Sequence, residues 1–123
     1  MTLIEAINRF DTLHPNVIPP EEKVRLISLL DGRIKLEIID THEGGESVSF
    51  TPYEAPQSYN AELLIPYPWD DLYIKYLAAE VDLMSNDTDR YQVSAEVFND
   101  VYNKFRAWYN RTHMPKKINV CYF

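Results

Sequence analysis

His42-Glu43 is the pair that most invites a chemical reading, because a histidine followed by glutamate opens the zinc-protease helix motif. That motif needs a second histidine four residues after the first, so that both imidazoles share one helix face. Position 46 is Glu46, and the motif fails. His42 fits better at a helix C-terminus, where a partly positive imidazole suits the helix dipole. His14 and His113 stand alone, each just before a turn, and no ligand spacing joins them to acids in a metal site. Gly44-Gly45 lacks the lysine and the wider glycine spacing of a phosphate loop. Asp70-Asp71 and Asp87-Thr88-Asp89 have the residue types of a hard-cation site, yet acids at helix starts are far commoner. Ser28, Ser47, Ser49, Ser58, Ser85 and Ser94 sit in no nucleophile elbow. Cys121 has no helix N-terminus beside it to favour a thiolate. These patterns point to no catalytic residue, no cofactor and no bound metal; the expectation is a protein that is not an enzyme.

One stretch interleaves aromatic and basic residues, from Tyr102 through Lys104, Phe105, Arg106, Trp108 and Tyr109 to Arg111. Such a stretch can stack on single-stranded nucleic acid. At helical spacing, however, its aromatics fall on packing stripes and its bases between them. Core plus solvated face is the better reading.

The elements that must position these residues read as about four helices, a mainly α fold. Thr2-Leu3-Ile4-Glu5 is a capping box, and Leu3, Ile7 and Phe10 share a face behind it. His14-Pro15 ends that helix. Pro19-Pro20-Glu21-Glu22 starts a second, expected from about Glu21 to Thr41. Its core stripe is Val24, Ile27, Leu30, Ile34 and Ile38, which Leu26, Leu29, Leu36 and Ile39 widen toward burial on more than one side. Gly32 inside it marks a bend or a close crossing, and Gly44-Gly45 stops it.

Residues 46–68 differ, with prolines at 52, 56, 66 and 68. Ser47 to Thr51 alternates as a half-exposed strand would, and Glu62 to Pro66 is either a second strand or a pinned loop. A proline-rich arm or small β-hairpin is expected here. A third helix begins near Pro68-Trp69-Asp70-Asp71 and a fourth follows the polar turn Ser85–Asp89, the two forming an antiparallel pair. The fourth carries two apolar stripes. Tyr91, Ala95, Phe98, Tyr102, Phe105 and Tyr109 make one, for the core; Val93, Val97, Val101 and Trp108 make the other, for a partner. The reading is a single helical domain over 1–110 and an extended basic tail over 111–123.

The chain has 123 residues, 46% of them apolar and 25% charged, enough for one domain with a real core. No apolar run is long enough for a membrane span, and no export signal opens the sequence. One cysteine allows no internal disulfide, and the expectation is a reducing compartment. The net charge of −7 suits neither nucleic-acid coating nor a membrane surface. It is also unevenly spread. Glu37 to Asp100 holds fourteen acids against two bases, Lys75 and Arg90, whereas Val101 to Phe123 holds five bases and no acid.

Three strings carry a resemblance: Leu3-Ile4-Glu5-Ala6-Ile7, Asp40-Thr41-His42-Glu43-Gly44-Gly45, and Tyr109-Asn110-Arg111-Thr112-His113-Met114-Pro115-Lys116. Together they resemble small structural proteins encoded among the head genes of tailed bacteriophages and prophages of Gram-positive gut bacteria. The strongest pieces are Thr41 to Gly45 and Asn110 to Pro115. The likeness runs in the same order over most of the chain, and points to the head–tail connector (adaptor) family. It implies helical subunits in a closed ring of about a dozen copies. It implies contact with the portal and with head-completion or tail proteins, and a place at the head–tail junction of the virion after assembly in the host cytoplasm. It carries no catalytic residue. The long stretch 46–68 departs from the simplest adaptor pattern.

The expected function is therefore virion assembly, as a connector subunit that docks on the portal and lets DNA pass. A tail-terminator or head-completion protein is the near alternative. An acidic regulator that binds a host DNA-binding protein is the alternative from another class. The residues expected at interfaces are Tyr53, Tyr59 and Tyr67 in the arm, Val97, Val101 and Trp108 on the second stripe, and Arg111, Lys116, Lys117 and Tyr122 at the basic end.

Overall fold

The structure, a computed structural model, describes residues 1–115. Four α-helices form: α1 (Leu3–Leu13), α2 (Pro20–Glu37), α3 (Leu72–Met84) and α4 (Thr88–Thr112). Short 3₁₀ turns occupy Ile39–Thr41, Gly45–Ser47 and Trp69–Asp71. The mainly helical fold and the closely packed α3–α4 pair agree with the sequence reading.

The helix ends follow their capping chemistry. Thr2 caps α1, its hydroxyl accepting from the Glu5 N–H, and Asp87 caps α4 by accepting from the Arg90 N–H at 3.1 Å. The other free N–H groups of α1 find an unusual partner. Leu3 and Ile4 donate to the carbonyls of Ala61 and Tyr59, at 3.0 and 2.9 Å, and Leu63 returns a bond to Met1. The connecting loop thus satisfies donors that a helix start leaves orphaned.

α2 is shorter than its pattern. The α-helix stops at Glu37 and a 3₁₀ turn carries the chain to Thr41. The reversal beyond it depends on two glycines for two reasons. Gly44 takes a left-handed φ of 83°, and a Cβ on Gly45 would lie 2.3 Å from the Ile39 carbonyl oxygen.

Each helix contributes to one core. Leu3, Ile7 and Phe10 of α1, the stripe Val24 to Ile38 of α2, Leu72, Tyr73, Ile74 and Leu77 of α3, and Phe98, Tyr102 and Phe105 of α4 are buried together. Leu26 and Ile39 are buried as expected, but Leu29 and Leu36 are 52% and 72% exposed. They sit on the face of α2 that no helix covers, so α2 is not buried all round.

The stretch between α2 and α3 forms no hairpin. Among the described residues there are isolated bridges, Thr2 to Glu62 and His42 to Pro115, and no strand. Its prolines remove ladder donors on both sides of each short apolar run. The arm does not stand off: Leu63 and Ile65 are buried, and Tyr53, Ala55 and Tyr59 pack against the core.

α4 has 25 residues and α3 has 13, so at the α-helical rise α4 outruns its partner by about 18 Å. The overhang packs on other elements. Trp69 meets Phe105 and Trp108 at ring distances of 6.2 and 5.9 Å, and the Tyr102 hydroxyl donates to Glu37 at 2.7 Å. α4 continues through Arg111 and Thr112, past the boundary expected at residue 110. No helix among the described residues is long and apolar enough to cross a membrane.

Candidate interaction surface

The uncovered face of α2 forms the floor of a groove of about 760 Å³. Arg25, Leu29, Gly32 and Leu36 line it from the helix, and Phe50 and Pro52 from the following segment. Gly32 is what lets the two walls meet, since a Cβ there would already touch the Phe50 ring at 3.5 Å. An aromatic ring, not a second helix, is therefore its close neighbour.

A buried acid holds the outer wall in place. Asp31 is fully buried and accepts three hydrogen bonds: from the hydroxyls of Tyr53 and Tyr73, both at 2.6 Å, and from the Leu64 N–H at 3.2 Å. Tyr73 in turn accepts from the Ile65 N–H at 2.9 Å, and the Tyr53 N–H donates to the Ser28 hydroxyl at 3.1 Å. One carboxyl thus ties α2 to α3 and to two points of the proline-rich segment. Burial raises the Asp31 pKa above the usual carboxylate range, and its three donors oppose that shift. Burial and the neighbouring acid push Tyr53 and Tyr73 well above ordinary tyrosines.

Asp31 was legible in principle. It stands four residues after Ile27 and three before Ile34, on the core stripe itself, where an acid needs buried donors.

The second assembly lies at the far end of α4. His42 is buried at the end of α2, as the dipole argument expects. Its Nδ1–H donates to the Ile38 carbonyl at 2.6 Å, and its Nε2 lies 2.8 Å from the side-chain oxygen of Asn110. Tyr109 packs edge-on against the imidazole at 4.7 Å and stacks on His113 at 3.8 Å. The Glu43 N–H donates to the Met114 carbonyl at 2.8 Å. The strings Thr41–Gly45 and Asn110–Pro115, far apart in sequence, therefore meet. They meet as a structural clasp whose histidine has both nitrogens occupied. Among the described residues no three of His, Cys, Asp and Glu converge as metal ligands.

The residues expected at interfaces divide accordingly. Tyr53 turns inward to Asp31, and Trp108 packs in the Trp69–Phe105 cluster. Tyr59 and Val101 are half-buried against the core. Tyr67, at 86% exposure, Val97 and Arg111 remain open to solvent, as does Val93 one turn before Val97. Lys116, Lys117 and Tyr122 lie outside the described residues. The structure thus brings together Tyr53 and the groove, and keeps the α4 stripe apart from it.

No family model, curated protein or solved structure matches the chain. The site is therefore read from its own geometry.

That geometry offers contact, not chemistry. The ion pairs near the groove serve the fold: Arg33 holds Glu37 at 2.9 Å while lying 4.8 Å above the Tyr102 ring, and Arg25 pairs with Glu22. The Tyr102 hydroxyl and Arg33 together hold Glu37 below the usual carboxylate range. What remains free is apolar surface at two separate places, the α2 groove and the N-terminal half of α4.

Proposed function

We propose that this chain is a structural assembly subunit, a head–tail connector that docks on a phage portal as one copy in a closed ring. The observation that carries the reading is the uncovered second stripe of α4. Val93 and Val97 are 63% and 41% exposed on one side of a helix whose other side is fully used by the core. An apolar row on a long, rigid helix fits a heterologous contact, in which one patch meets a different patch on the next copy. The resemblance of the three sequence strings to connector proteins supports the same reading. So does the charge division: an acidic body facing a basic end brings successive copies into register, and acids lining a channel let DNA slide without sticking.

Mass measurement of the chain mixed with portal tests the proposal. A complex holding many copies per portal ring is the expected result. A strict monomer that never binds portal and never enters particles would refute it. A label found on tails instead of the head vertex would move the assignment to a tail-terminator or completion protein.

A further inference from the structure

We infer that residues 116–123 of this chain lie in its own α2 groove. The described chain leaves at Pro115, which bridges antiparallel to His42 beyond the end of α2. The segment that follows is therefore aimed back toward Thr41 and the last turn of α2. Leu36 opens the groove at that end.

Reach decides what this segment can cover. From His42 to Leu36 is six residues of helical chain, about 10 Å, and Leu29 lies about 10 Å further along α2. Eight extended residues span at most about 26–29 Å. The first three, Lys116 to Ile118, bridge the gap at about 3.3 Å each, and Asn119 to Phe123 remain for the groove. Their chemistry suits it. Val120, Tyr122 and Phe123 are apolar or aromatic and would meet Leu36, Leu29 and Phe50. Lys116 and Lys117 start beside a turn that carries Asp40 and Glu43. A tether this short gives an effective concentration in the millimolar range, which favours the chain's own tail over a second copy's.

The single cysteine, Cys121, is the built-in probe. Three variants of the full chain are compared under mild diamide oxidation: Leu36→Cys in the groove, Ala107→Cys on exposed α4 about 12 Å from Pro115, and Val93→Cys about 33 Å away. The expected result is a monomeric disulfide at Leu36→Cys, formed at least about tenfold faster than at Ala107→Cys, with none at Val93→Cys. Adding Tyr122→Asp and Phe123→Asp removes the advantage. Equal rates at positions 36 and 107 overturn the inference, and so do disulfide dimers as the main product of Leu36→Cys. A second measurement leaves the groove intact. Cys121 alkylation should be slower in the unsubstituted chain than in the Tyr122→Asp, Phe123→Asp chain, and equal rates again overturn the inference.

Discussion

The α3–α4 pair and the proline-rich segment 48–68 pack on the same core by different means. The pair is held by repeated apolar contact: Leu77, Tyr76, Phe98, Tyr102 and Phe105 each add burial, and no single polar bond decides the geometry. The segment has few buried side chains and no ladder. It is held by named hydrogen bonds to Asp31, Ser28 and Tyr73, and by the donors of α1. Redundant contacts lose stability in small increments. A polar knot loses several partners at once when its centre goes, because each orphaned donor costs its own desolvation.

The largest expected effect tests the first half of that contrast. Phe105→Ala should cost about 4 kcal/mol, since Phe105 is 1% exposed and its cavity lies among Trp69, Trp108 and Tyr109. The loss should be global, with the whole urea transition moving as one. Asp31→Ala comes next, at about 3 kcal/mol, from two hydroxyls and an N–H left without an acceptor. Here amide exchange should rise first in residues 53–65, while α3 and α4 stay protected. Equal exchange everywhere would break the comparison.

A smaller effect separates the two hydroxyls of the knot. Tyr53→Phe removes one donor at the groove wall and should cost about 1 kcal/mol. Tyr73→Phe should cost more, because it also orphans the Ile65 N–H. Urea titration of both variants orders them.

The pH dependence sharpens the contrast further, because two acids of α2 shift in opposite directions. Asp31 has a raised pKa when folded, so its contribution is fully present below the unfolded value of 3.8 and is lost as pH rises through the folded value. Glu37 is held low by Tyr102 and Arg33, so its contribution is present above 4.5 and is lost as pH falls. Stability of the wild type relative to Asp31→Asn should therefore grow from pH 7 to pH 4. Relative to Glu37→Gln it should shrink as the medium becomes acidic. At the alkaline end, burial and the bond to Glu37 push Tyr102 to about 12, while an unfolded tyrosine ionises near 10.0. Stability should fall over that window, and Tyr102→Phe should flatten the fall.

The sequence by itself determined the four helices, their caps and the antiparallel pair. Those features rest on local chemistry: Thr2 and Asp87 each cap within three residues, and the 3–4 spacing of Phe98, Tyr102 and Phe105 names a face without knowing its partner. It did not determine which of two apolar faces stays open. Leu29 and Leu36 have the same residue types as the core stripe, and only the layout of the neighbouring helices leaves them in solvent beside Phe50. Nor did it place the contacts between Asp31 and Tyr73, 42 residues apart, or between His42 and Asn110, 68 apart. A polar side chain carries no mark of its distant partner, since hydrogen bonds depend on where the chain returns in space. Tertiary structure therefore turned a proline-rich stretch into the wall of a groove, and the two strings richest in identity into a clasp.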